Sequence, residues 1–345
     1  MSPYDAFLLM SFGGPEKNDD VIPFLENVTR GRGIPRERLA EVGEHYFLFD
    51  GVSPINQQCR DLIAAIRADF AANGVHLPVY WGNRNWDPYL ADTVRDMVKD
   101  GVRRVVALST SAYSSYSSHR QYLEDIERAR AEVGPDAPEI DLIRPYFDHP
   151  GFVDALVDHT RTALDRLPAD LRGGARLLYS AHSIPLAMAR ASGDPRVDHG
   201  PGGAYAAQLA EVARLVTERL GGGHAYEVVY QSRSGPPTQP WLEPDINDRL
   251  AELAAEGVQA VVVVPHGFVS DHMEVKYDLD VEAAQTARKL GIRLVRAHAP
   301  GTHPAFVAMV RDLVAERAES PVPRTGLSRL TPAGHTCGPD CCRIR

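Results

Sequence analysis

Cysteine is scarce: the chain has four in 345 residues, and three of them, Cys337, Cys341 and Cys342, lie within the last nine. A disulfide framework distributes its cysteines along the chain, so that class is excluded and the terminal cluster needs a separate explanation. Long apolar runs are missing too. The longest, around Val258 to Val269, is broken by Pro265, His266 and Gly267 and falls short of the ~20 residues that span a bilayer. The start, Met1-Ser2-Pro3-Tyr4-Asp5, lacks a basic region and an apolar core, so a cytoplasmic protein without stable membrane insertion is expected. There is no excess of positive charge: Lys plus Arg is 37 against Asp plus Glu 46, a formal charge of −9, which argues against nucleic-acid binding. Several familiar motifs are absent. Gly13-Gly14 lacks the G-x-G-x-x-G spacing, and no G-x-x-x-x-G-K-[ST], H-E-x-x-H or G-x-S-x-G occurs. No nucleotide cofactor is therefore expected, and the zinc-hydrolase and serine-nucleophile readings lose support.

What is present is an ordinary soluble composition, 44% hydrophobic and 24% charged, on a chain long enough for two α/β domains at roughly 150 residues each. Ala6–Met10, Leu77–Trp81, Arg104–Leu108, Arg176–Tyr179, Tyr226–Tyr230 and Ala260–Val264 read as strands. Asp61–Asn73, Leu90–Asp100, Arg120–Val133, Gly151–Arg166, Ala204–Leu220 and Asp245–Glu256 carry apolar residues at helical spacing. Alternation of this kind predicts parallel sheets flanked by helices. The order Trp86, Pro88, helix, Gly101-Val102, strand recurs as Trp241, Pro244, helix, Gly257-Val258, strand, which favours two duplicated domains. The expected division is 1–139 and 140–302, with a helix near 303–318 returning to the first domain and a Pro- and Gly-rich tail over 319–345.

Ligands of parallel α/β sheets sit beyond the carboxyl ends of the strands, and the loops there are polar. They include Ser11 to Pro15, the Ser-rich Ser109 to Ser118, Ser180 to Pro185 and Pro265 to His272. His182 alone is an ordinary loop histidine. Downstream, however, Glu274, Asp278 and Glu282 recur every fourth residue, so a helix stacks three carboxylates in one stripe. A solvated acidic face is the plain reading. Directly after a strand loop, the stripe also suits transient handling of a divalent cation or of protons, and a π-bulge would fit such a helix. Arg30 and Arg32 offer guanidiniums to a carboxylate or phosphate, while Phe12, Tyr46, Tyr113, Tyr116, Trp241 and Phe268 offer flat apolar walls.

S-F-G-G-P at Ser11, F-L-E-N-V-T-R-G-R at Phe24, G-V-S-P-I-N at Gly51, S-A-H-S-I-P at Ser180, Q-S-R-S-G-P at Gln231 and G-F-V-S-D-H-M-E at Gly267 occur together and in family order. Over roughly Asp5 to Leu313 the chain resembles the ferrochelatases, and in overall style the actinobacterial members that metallate coproporphyrin III.

The resemblance implies two Rossmann-like, chelatase-type domains with a porphyrin cleft between them. There ferrous iron, a substrate, replaces two pyrrole protons and forms coproheme. His182 and Glu274 would face each other across the macrocycle as catalytic and metal-handling residues, with His182 accepting protons as a neutral imidazole. Asp278 and Glu282 would continue outward as a proton or metal path. Phe12, Arg30, Tyr46, Ser53, Tyr113 and Tyr116 become the porphyrin-binding candidates; Phe12 stands where some members have a Tyr near the metal. Some relatives hold a [2Fe-2S] cluster with C-terminal cysteines, which would engage Cys337, Cys341 and Cys342, with either Cys59 or His119 as the fourth ligand; a plain thiol-bearing tail or a zinc site is the alternative. Expected partners are coproporphyrin III, ferrous iron and, transiently, a coproheme-accepting enzyme, with a monomer as the default. Protoporphyrin IX is the alternative substrate. A porphyrin or haem carrier and a cobalt- or nickel-inserting chelatase are the competing readings; a carrier has no need of the carboxylate ladder.

Overall fold

A computed structural model describes residues 3–31, 33–235, 238–318, 324–328, 330 and 340–343. Eight strands form two four-stranded parallel sheets. The first comprises β1 (Ala6–Ser11), β2 (Val79–Asn83), β3 (Arg104–Ser109) and β4 (Glu139–Leu142), in the order β2-β1-β3-β4. The second comprises β5 (Arg176–His182), β6 (Tyr226–Gln231), β7 (Ala260–Val264) and β8 (Arg293–Arg296), in the matching order β6-β5-β7-β8.

The inner strands are covered by helices on both faces and so are continuously apolar: all six residues of β1 and all five of β7 are buried. The four-residue edge strands escaped the sequence reading. Glu139 and Asp141 in β4, and Arg293 and Arg296 in β8, are the charges that edge strands carry against aggregation, and they mask the short apolar signal. As a consequence, the expected boundary between residues 139 and 140 falls inside β4, which completes the first sheet. Helices Asn18–Val28 and Arg36–Phe47 also went unread, and the helix expected from Asp61 begins at Ile55. The repeat has a local counterpart: the turns after β2 and β6 close through the bridges Asn83–Tyr89 and Tyr230–Asp245.

The largest apolar core runs through both sheets, from Phe7, Ile66 and Leu108 to Phe152, Tyr179 and Val262. Helix Pro304–Ala318 packs on helix Ile55–Ala72 of the first half and on Pro150–Asp165 of the second. It is anchored by a buried ion pair. Arg144 donates from Nε and Nη2 to the Glu316 carboxylate at 2.7 and 2.9 Å and from Nη2 to Thr325 O at 2.9 Å, while Arg324 meets Asp148 at 2.9 Å. Removing Glu316 takes away the carboxylate that meets two of the buried Arg144 N–H groups and leaves Asp148 farther off at 3.5 Å. Glu316→Ala is therefore expected to lose about 3–5 kcal/mol of stability, read as a lower midpoint in chemical denaturation; a change under ~1 kcal/mol would show that water replaces the carboxylate. No helix among the described residues is long and apolar enough to cross a membrane.

Candidate active site

In both sheets the chain reverses direction from the central strand, so the carboxyl ends of β1 and β3, and of β5 and β7, form the crevices where ligands bind. His182 is the last residue of β5, opposite Gln231 on β6. Its carbonyl accepts from Tyr205 Oη at 3.0 Å, and its Nδ1 meets the Ser183 carbonyl. The loop after β7 passes tightly over β5: a Cβ on Gly267 would lie 2.6 Å from Ala181 Cβ, which makes glycine necessary there. This approach delivers helix Met273–Tyr277, whose Glu274 carbonyl accepts from Gln231 Nε2 at 3.0 Å.

His182 Nε2 and Glu274 Oε2 are 3.6 Å apart, with side chains 32% and 49% exposed, so the pair is reached by solvent. The same Glu274 oxygen lies 3.6 Å from Nδ1 of His272, a second imidazole that the sequence reading passed over. Only its place two residues before Glu274 could have marked it. Beyond Tyr277 the helix opens into a π-helical turn over Asp278–Ala283. In an α-helix every fourth residue drifts by about 40°; the wider turn cancels part of this drift and keeps Glu274, Asp278 and Glu282 on one stripe. Ser232, with φ +62°, donates its hydroxyl to Asp278 Oδ2. A non-glycine residue held in the left-handed region is uncommon, and here it serves the ladder.

The charges form a gradient. Burial alone would depress His182, but the Glu274 carboxylate, helped by the Ser183 carbonyl and Asp278, raises the imidazole to about 9. Burial likewise opposes the Glu274 anion, yet His182 and His272 hold it down at about 2. Burial, with the Glu274 and Glu282 carboxylates added and against the Ser232 hydrogen bond, raises Asp278 to about 7. Glu282, at the exposed end, is raised by burial and by Asp245. Glu274 thus favours the protonated form of His182, against the neutral imidazole that proton acceptance requires. The reason is the carboxylate 3.6 Å away.

The other candidates divide. Tyr46 lies near the ladder, where burial and then Glu274 and Asp278 push its hydroxyl pKa up. It packs on Phe24, which also meets Phe12 and Trp86; Phe12 itself is 37% exposed. His45, on the helix Arg36–Phe47, stacks on Tyr277 with ring centroids 3.7 Å apart. Arg30 is exposed, and Arg32 lies outside the described residues. Ser53 is buried beneath Gly14. Tyr113 is not a cleft wall: it is buried among Phe147, Phe152 and Tyr205, and its hydroxyl donates to His266 O at 2.9 Å. An aromatic after a strand has no sequence mark that separates core from cleft. Tyr116 Oη donates to Glu124 at 2.9 Å.

At the C-terminus Cys341 and Cys342 are buried with sulfurs 3.4 Å apart; Cys337 lies outside the described residues. His119 is buried beside Cys342, with burial lowering its pKa to about 4 against the effect of that thiol. Cys59 sits in the core of the first half, its thiol raised to about 11 by burial against a hydrogen bond with Ser11. A separate cavity of about 420 Å³, lined by Gln58, His159, His298 and His303 among others, includes neither His182 nor Glu274.

The family model for ferrochelatase matches residues 4–318. A coproporphyrin III ferrochelatase of Streptomyces coelicolor is 56% identical, over 100% of this chain and 94% of that protein. One of Nocardia farcinica is 52% identical over 98% and 96%, and a ferrochelatase of Rhodopirellula baltica is 51% identical over 99% and 94%. Among solved structures, SirB from Bacillus subtilis with Fe3+ aligns with 90% of this chain and 96% of its own at a TM-score of 0.54 and 14% identity, a likeness of fold. With a family model spanning nearly the whole chain and relatives above half identity, the chain belongs to the ferrochelatase family.

Proposed function

We propose that the protein inserts ferrous iron into coproporphyrin III. Two pyrrole N–H bonds break, two protons leave and iron(II) takes their place, with no electron transferred. The observation that carries the reading is the His182–Glu274 pair at 3.6 Å, reached by solvent and continued by Asp278 and Glu282. The relatives of S. coelicolor and N. farcinica bear the name of that activity.

At rest Glu274 keeps the proton on His182. A divalent cation arriving at Glu274 would satisfy the carboxylate, and the hold on that proton would weaken. Burial then favours the neutral imidazole, which can accept a pyrrole proton. Asp278, near 7, can take up and release protons at working pH, and Glu282 passes them to solvent. His272 orients Glu274. Arg30, Tyr46 and Ser53 are proposed for the porphyrin carboxylates, and Phe12 for the apolar rim.

Anaerobic absorbance of protein with ferrous iron and either coproporphyrin III or protoporphyrin IX tests the reading. Faster, repeated conversion of coproporphyrin is expected; faster conversion of protoporphyrin would overturn the substrate assignment. Binding without metallation of either would favour a carrier.

The buried carboxylic acid gives a pH prediction. Because the folded pKa of Asp278 is raised, its penalty is absent below about 4 and grows until pH passes about 7. Asp278→Asn is expected to raise stability at pH 8 by about 1 kcal/mol after solvent screening, read as a higher Tm, and to leave it unchanged near pH 4, while turnover falls. An equal shift at both pH values would refute the buried-acid assignment.

For the [2Fe-2S] cluster that the resemblance implies, the local donor set is soft: Cys341 and Cys342 thiols with the His119 imidazole beside them. Among the described residues no group of three His, Cys, Asp or Glu side chains is arranged to hold a metal ion, so the set is incomplete without Cys337. Thiolates and an imidazole are the residue types that iron–sulfur ligation uses.

A further inference from the structure

We propose that Arg296 is a positioning residue for metal insertion: it clasps Asp271 and Asp280, the carboxylates on either side of His272, Glu274 and Asp278, and holds the ladder in register from behind. The inference rests on the metal- and proton-handling roles given above to Glu274 and Asp278, and adds to them the group that places both.

The first observation is the geometry of the guanidinium. Arg296 ends β8, where it pairs with Val263 of β7, and its Nε and Nη2 donate to the two oxygens of Asp280 at 2.6 and 3.0 Å. Nη1 and Nη2 donate to the two oxygens of Asp271 at 3.1 and 3.0 Å. Two edges of one planar fork are used, each on a separate carboxylate, which a lysine ammonium cannot reproduce. The side chain is 12% exposed, whereas Arg293 of the same strand is exposed, so Arg296 does more than charge a sheet edge.

The second observation is where the two carboxylates lie. Asp271 stands directly before His272 and three residues before Glu274, while Asp280 is inside the π-helical turn, between Asp278 and Glu282. Two positions along a helix amount to about 200° of rotation, so Lys276 and Asp280 form a second stripe on the face opposite the ladder. Lys276 Nζ donates to Asp280 Oδ2 at 2.8 Å. An anchor from another strand inside the turn selects this geometry over a continued α-helix, the far commoner form.

The third observation is how the near end is fixed. Gln58 Oε1, on helix Ile55–Ala72 of the first half, accepts from Asp271 N at 2.8 Å, and Gly301 N, beyond β8, donates to Val269 O at 2.8 Å. The loop that leads into Glu274 is therefore tied to both halves, and Arg296 carries that constraint on to the π turn. Ser232 holds Asp278 from the other side. Without the guanidinium, Asp271 and Asp280 become neighbouring like charges, and Asp278 and Glu282 lose the contact that keeps them in line with Glu274.

The test is Arg296→Met in the full-length chain, with single-turnover absorbance at saturating ferrous iron and coproporphyrin III, and porphyrin affinity from fluorescence quenching. The insertion rate is expected to fall about tenfold or more, since small misplacements of reacting groups cost this much, while affinity stays within about twofold. In an Asp278→Asn background the same substitution is expected to cost less than about twofold, because a group it positions is already gone; a purely structural defect would multiply with the second change. Arg296→Lys is expected to recover part of the rate, and Arg293→Ala to match the parent. Where Arg296→Met does not fold, Asp280→Asn, which keeps the Arg296–Asp271 pair, decides: a rate about threefold lower or less at parent affinity is expected. A rate within twofold of the parent in the deciding variant, a loss that multiplies fully with Asp278→Asn, an affinity that falls in step with the rate, or an equal loss in Arg293→Ala would each overturn the positioning role. A parent chain that binds coproporphyrin but metallates neither it nor protoporphyrin would overturn the proposed function itself, and the inference with it.

Discussion

His182→Ala is expected to lower kcat for iron insertion by 10²- to 10⁴-fold, the range for removing a positioned base, while porphyrin affinity changes little. The imidazole sits at the end of β5, its backbone held by Tyr205 and by pairing with Gln231, so truncation removes the base without moving the strand. Binding is assigned to other residues, on the Phe12–Tyr46 side of the cleft. Porphyrin fluorescence quenching gives the affinity and single-turnover absorbance gives the chemical step. A variant that metallates at more than a tenth of the parent rate would show that the proton leaves by another route.

Glu274→Gln should invert the protonation of His182. In the parent the carboxylate at 3.6 Å outweighs burial and lifts the imidazole to about 9; with a neutral amide only burial and weaker contacts remain, so the histidine should titrate at least two pH units lower by NMR. Metal insertion should fall by at least 10²-fold, since the group assigned to receive the cation is gone. The stability consequence has a defined window. The raised His182 contributes fully below about 6.5 and loses its contribution as pH rises through about 9, and the lowered Glu274 contributes fully above about 4.5 and loses its own as pH falls through about 2. Both describe one interaction, complete between about pH 4.5 and 6.5 and of order 1 kcal/mol for side chains this exposed. The Tm difference between parent and variant should therefore be largest near pH 5.5, shrink as pH rises from about 6.5 and vanish above about 9. A His182 titration unmoved by the substitution would remove Glu274 as its partner.

The ladder was legible because helical periodicity is local: Glu274, Asp278 and Glu282 share a face whatever the helix packs against. His182 was marked by its place after an apolar strand in a chain whose alternation already required parallel sheets. His272 was not legible, because its contact with Glu274 depends on how the loop after β7 turns over Ala181. Tyr113 failed for the converse reason. Its position beyond β3 matches a cleft residue, and only the packing of Phe152 and Tyr205 from the second half encloses it.

The amino-acid order by itself determined the two parallel sheets, the duplication and the spacing of the acids, since each follows from short-range periodicity and strand burial. Tertiary structure alone decided which groups surround His182 and Asp278 and in which direction each pKa is pushed. These are matters of distance and desolvation between residues far apart in the chain, 92 positions for His182 and Glu274. Coulomb energies and burial depend on separation in space, and a linear sequence carries no record of that until the halves close on one another.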